Sequence, residues 1–150
     1  MMLYECGVRY ERTMENGMTK KVTELYLVDA LSFAEAEGRI IKEMQPFMSG
    51  EFDVVTIKRT NYSEIVENGA DSADKWFKAK LMFISIDEKT AKEKKQTVYF
   101  IVKASDINNA HSVVVEHMQT SAIDYEIATL DETKIMDLFR YKVNTTSSNG

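Results

Sequence analysis

Two stretches of this chain follow the same course, and that constrains the fold more than any other feature of the sequence. Lys20-Lys21-Val22-Thr23 aligns with Lys94-Lys95-Gln96-Thr97; further along, Val28 meets Val102, Ala30 meets Ala104 and Ala36 meets Ala110. Between these, Leu27 faces Ile101, Phe33 faces Ile107, and Ile40-Ile41 face Val114-Val115. Six of 22 ungapped positions are identical. One residue of slack then sets Tyr4 to Tyr10 on Phe77 to Phe83, and Phe52-Asp53-Val54 on Tyr125-Glu126-Ile127. Self-similarity on this scale points to a duplicated supersecondary unit.

Each copy reads as two strands, a helix and one or two further strands. Tyr4, Cys6, Val8 and Tyr10 alternate with Glu5, Gly7, Arg9 and Glu11, the period of a half-buried strand. Asn16-Gly17 suits a tight hairpin, and the return strand runs from Val22 to Val28. Ser32 with Glu35 forms a capping-box pattern ahead of the stripe Phe33, Ala36, Ile40, Met44 and Phe47, which predicts a helix ended by Pro46 and Gly50. Phe52 to Ile57 predicts a third strand, and Asn61 to Glu67 a short edge strand. In the second copy Phe77 to Phe83 and Thr97 to Lys103 are the strand pair. Asp106 caps a helix with the stripe Ile107, Ala110, Val113, Val114 and Met118, and Tyr125 to Leu130 closes the copy.

Units of about 70 residues cannot each bury a sufficient core alone. The reading is therefore one α+β domain over residues 1–143, with two tandem ββαβ repeats, pseudo-twofold symmetry, antiparallel sheet or sheets and two helices. Repeat 1 covers about 3–67, the linker 68–74 and repeat 2 about 75–141, with residues 144–150 as a flexible tail. The return strands are apolar on both sides, with Leu25 and Leu27 opposite Tyr26 and Val28, and Tyr99 and Ile101 opposite Phe100 and Val102. A second apolar face needs a cover, so Leu25, Leu27, Tyr99 and Ile101 are the candidate residues of a homo-oligomer interface.

The run from Tyr4 to Glu37, with Asn61-Tyr62-Ser63-Glu64-Ile65 and Asp74-Lys75-Trp76-Phe77-Lys78, resembles an uncharacterised family of small proteins from Bacteroidetes and their phages. The resemblance extends over roughly Tyr4 to Tyr141. It implies a bacterial, cytoplasmic setting and brings no catalytic or binding residues.

The 150 residues carry 24 acids and 19 bases, a net charge of −5, which gives little general attraction for nucleic acid or anionic membrane. No apolar run is long enough to span a bilayer, and the first ten residues do not form a signal-peptide core. A single cysteine, Cys6, precludes an internal disulfide and fits a reducing compartment. Cytoplasm is the expected location, with no membrane partner and no cofactor.

Catalysis finds little footing. His111 and His117 lie six apart on one helix, out of alignment for a metal pair, and Cys6 sits among inward residues as a packing thiol. The glycines are scattered, without a phosphate-cradling loop, and carboxylate pairs such as Glu35 with Glu37 read as caps and loop charges. The expectation is a non-enzymatic binding or interaction protein that self-associates. Two alternatives stand beside it. Trp76, Lys78 and Lys80 share the outward face of one strand, with Lys94 and Lys95 near it and Arg9 in the first copy, a pattern suited to single-stranded nucleic acid. A cleft lined by Tyr26, Tyr62, Trp76 and Tyr99, with Arg9 and Arg59, would suit a small anionic ligand.

Overall fold

The structure, a computed structural model, describes residues 1–141; the tail expected at 144–150 lies outside them. The chain is α+β. Its elements are β1 (Leu3–Thr13), β2 (Thr19–Asp29), α1 (Phe33–Met44), a 3-10 turn (Gln45–Phe47), β3 (Phe52–Arg59), β4 (Tyr62–Val66), β5 (Lys75–Ile86), β6 (Glu93–Ala104), α2 (Ile107–Met118), β7 (Asp124–Glu132) and β8 (Ile135–Phe139). Two compact units result, one from Met1–Thr60 and the chain from Asp137 onward, the other from Asn61–Met136.

The sheet of the first unit has the order β3-β1-β2-β8. β1 and β2 form a regular antiparallel hairpin from Leu3↔Asp29 to Thr13↔Thr19. Gly17 supplies the positive φ of the turn, +83°, and Asn16 Oδ1 accepts the Met18 N–H at 3.0 Å. The strand period puts Tyr4, Cys6 and Val8 on one face, where they pack with Tyr26, Val28 and Ala30 against Ala36, Ile40 and Met44 of α1. Truncating a member of this set, such as Ile40→Ala, removes about 2–5 kcal/mol. Ser32 Oγ accepts the Glu35 N–H at 3.1 Å, while the Glu35 carboxylate reaches past the cap to the Leu31 N–H at 3.2 Å.

Two members of the expected α1 stripe are not core. Phe33 is 48% exposed; its ring meets the edge of Tyr4 at 5.0 Å while Arg59 covers it at 5.8 Å. Phe47 is 74% exposed, because the α-helix ends at Met44 and Pro46 turns the chain into a 3-10 turn that swings residue 47 off the apolar face.

The second unit has the order β4-β6-β5-β7. β5 and β6 pair antiparallel from Lys75↔Ala104 to Ile86↔Glu93, and β4 lies parallel to β6. Phe77, Ala79, Leu81, Phe100 and Val102 pack with Ala110, Val113, Val114 and Met118 of α2. Asp106 caps α2 by accepting the Asn109 N–H at 2.7 Å. Ile107, expected in the stripe, is 52% exposed, since the first helical position precedes the turn that contacts the sheet.

The connections differ from a chain of contiguous repeats. β4 follows β3, a strand of the first sheet, yet pairs with β6 of the second. β8, which the sequence reading did not single out, follows β7 of the second sheet yet lies beside β2 of the first. Corresponding irregularities occur in both sheets. Val55 is skipped where Gly7↔Thr56 gives way to Val8↔Val54, and Ala128 where Lys80↔Thr129 gives way to Leu81↔Ile127.

Candidate binding surfaces

Strand alternation in β5 does bring Trp76, Lys78 and Lys80 to one sheet face, the face away from α2, with Ile101 and Tyr99 opposite Lys78 and Lys80 on β6. Trp76 is only 3% exposed. Its carbonyl accepts both the N–H and the Oγ1–H of Thr133, each at 2.8 Å, and the Lys103 ammonium lies 5.5 Å from its ring. The indole therefore offers no face for a base. Lys78 is half-buried, with its ammonium 4.7 Å from the Tyr99 ring and 6.0 Å from Tyr62, and Asp131 stands opposite it on β7. Lys80 is half-buried beside it.

Lys94 and Lys95 stand toward the start of β6 and face carboxylates. Lys94 pairs with Asp87 at 3.1 Å; Lys95 lies 3.6 Å from Glu126 and 3.9 Å from Glu93. Asp87 also accepts the N–H groups of Lys89 and Thr90, and these bonds, the Lys89 N–H foremost, hold its carboxyl below the usual range. Arg9 belongs to the first unit, where its Nε lies 3.5 Å from Thr23 Oγ1 and Asp53 stands opposite it on β3.

Of the four residues named for an oligomer interface, Leu27 and Ile101 have no exposed surface, and Leu25 and Tyr99 are half-buried. Tyr26 and Arg59, named for an anionic ligand, are committed locally. Tyr26 is buried, donates to Glu24 at 3.2 Å and stacks on Phe139, and burial pushes its hydroxyl upward; Arg59 lies over the rings of Phe33 and Tyr4.

The first unit carries an open cleft of about 530 Å³. The outer half of the β1–β2 hairpin forms one wall, through Arg9, Tyr10, Glu11 and Lys21; Phe47 to Glu51 and Asp53 form the other. Its charges are matched in pairs by strand register, Arg9 opposite Asp53 and Glu11 opposite Lys21, with Glu51 in addition. Such a lining has no excess of positive charge with which to hold an anion. Its apolar and aromatic members are Tyr10, Phe47 and Met48. The sequence did carry a signal for this site: a stripe residue lying beyond a helix-breaking proline is free to leave the core.

The Cys6 thiol is buried, and burial, with Glu5 nearby, pushes it up to about 11, away from nucleophilic character. His111 is exposed, whereas His117 sets its ring edge against Phe100 at 5.7 Å and Nε2 3.1 Å from Glu64 Oε1, tying β4 to α2. Among the described residues no group of three or more His, Cys, Asp or Glu is placed to hold a metal ion, and no helix is long and apolar enough to cross a membrane.

Against known families, residues 2–141 match the model described as a domain of unknown function, DUF4494. Comparison with curated proteins and with solved structures returned no match.

Proposed function

We propose that this chain, which belongs to the DUF4494 family, acts by binding protein segments, copies of itself included, and performs no chemistry of its own. The observation that carries the reading is Phe47. A phenylalanine 74% exposed on the wall of a cleft of about 530 Å³ is an anchor waiting for an apolar partner group. β3, which starts at the same cleft, is an edge strand of its sheet, so an extended segment has main-chain groups to pair with alongside the pocket. The matched charges of the lining favour a peptide, which carries both signs, over a simple anion.

Single-stranded nucleic acid is the weaker reading, because stacking needs an exposed ring and Trp76 is buried, while Lys94 and Lys95 face acids. As part of the same proposal the protein works in the cytoplasm of bacteria of the Bacteroidetes or in cells infected by their phages. The lone buried thiol of Cys6 and the family resemblance support that setting.

The test selects peptides from a displayed library on the immobilised full chain and measures each on the wild type and on Phe47→Ser. Peptides that bind the wild type and lose at least tenfold, about 1.4 kcal/mol, on Phe47→Ser support the reading. Equal binding to both proteins moves the site elsewhere. Salt-sensitive binding of a fluorescent mixed-sequence oligonucleotide, with no peptide enrichment, replaces the reading with the nucleic-acid one.

A further inference from the structure

We infer that β8 is an exchangeable strand, and that the Ile135–Phe139 segment of one copy takes the seat beside β2 of a second copy, linking the two chains. The inference rests on the reading that the chain binds copies of itself, and it names the element they trade.

From Asp137 onward the strand belongs to the same compact unit as Met1–Thr60. Phe139 stacks on Tyr26 with ring centroids 5.9 Å apart and planes at 24°, and it packs against the helix-side core of the first unit. Arg39 of α1 locks the end of the strand: its guanidinium donates to the Asp29 carbonyl and, at 2.7 Å, to the Arg140 carbonyl, and it lies 5.3 Å from the Tyr141 ring. These partners recognise the strand itself and not the connection that delivers it. An identical strand from another copy makes the same contacts, and only the hinge changes, which is the condition for domain swapping.

The hinge is short and well defined. Thr133 is held to the Trp76 carbonyl within the second unit, its Oγ1 accepts the Ile135 N–H at 3.2 Å, and the boundary between the units falls inside β8, between Met136 and Asp137. Release of β8 leaves β2 as an open strand edge beside the uncovered Tyr26 ring, and another β8 is the segment that fits it best. A covalently tethered strand acts at an effective concentration on the order of millimolar, so exchange between copies requires a concentrated sample and time for the strand to open.

The experiment incubates the full chain at high concentration, dilutes it and measures mass by size-exclusion chromatography with light scattering. Parallel samples contain an excess of the synthetic peptide Ile-Met-Asp-Leu-Phe-Arg-Tyr, residues 135–141, or the same peptide carrying Phe139→Ala. The expected result is a slowly formed dimer whose yield falls several-fold with the native peptide and is unchanged by the altered one. A dimer indifferent to both peptides overturns the strand exchange and leaves self-association standing. A monomer throughout, with no retention of the native peptide, overturns both. Because the substitution is in the peptide, no outcome depends on a variant protein folding.

Discussion

Thr60 donates twice to one atom: its N–H at 3.0 Å and its Oγ1–H at 2.7 Å both reach the carbonyl oxygen of Leu3. Thr133 does the same to Trp76, with both distances 2.8 Å. Each threonine stands where the chain leaves one sheet for the other, Thr60 between β3 and β4 and Thr133 between β7 and β8. The paired hydrogen bonds anchor the chain to its own unit just before it crosses at Thr60 and just after β7 at Thr133.

Thr60→Val and Thr133→Val keep the shape and the backbone donor and lose only the hydroxyl. Each is expected to cost about 1 kcal/mol in urea unfolding, with Ser at the same position restoring part of it. Loss at one site and none at the other would show that the two crossings are not held alike.

Tyr4 presents the opposite case. Its hydroxyl is buried with no hydrogen-bond partner among the described residues, although its ring packs on Phe33 and under Arg59. The aligned position in the second unit is Phe77. Tyr4→Phe therefore keeps the ring contacts and removes an unsatisfied group, and it is expected to stabilise the protein by about 1 kcal/mol. A destabilised variant in thermal melts would mean that the hydroxyl has a partner after all.

Gly7 of β1 stands opposite Thr56 of β3, beside the register shift. A methyl group there would overlap Thr56 Oγ1. Gly7→Ala is expected to cost about 1 kcal/mol, the overpacking outweighing the entropic gain of losing a strand glycine. Thr56→Ala should relieve it, so the double variant recovers most of the stability; strictly additive losses would contradict the contact.

Cys6 gives the pH dependence a sign. Its thiol lies near 11 in the folded chain against 9.0 ordinarily, so the folded state holds the proton more tightly. That contribution is full below pH 9 and is lost as pH rises toward 11, by up to about 2–3 kcal/mol. Tyr26, also raised, adds to the decline above pH 10. In urea unfolding at a series of pH values, Cys6→Ala should flatten the slope between pH 9 and 10; an unchanged slope would assign it to other groups.

Much of the fold was legible because it is local. Alternation in Tyr4-Cys6-Val8, the caps Ser32 and Asp106, and the stripes through Ile40 and Val114 record a strand's or a helix's own environment, and the matching elements stand where those patterns lie. Which sheet β4 and β8 join is set by partners distant in sequence, and a five-residue strand carries no label for its neighbour. The binding surface was harder still. Trp76 among lysines has the same alternation whether its face is open or covered, and Phe47 kept helical spacing past the proline that ended the helix.

Each sheet is completed by a strand from across the 68–74 linker. This pairing is tested most directly by inserting a protease site after Gly69, cleaving the folded chain and measuring its native mass. The two fragments are expected to stay together, because β4 remains paired with β6 and β8 with β2, and to part only in denaturant. Fragments that separate on cleavage under native conditions would contradict it.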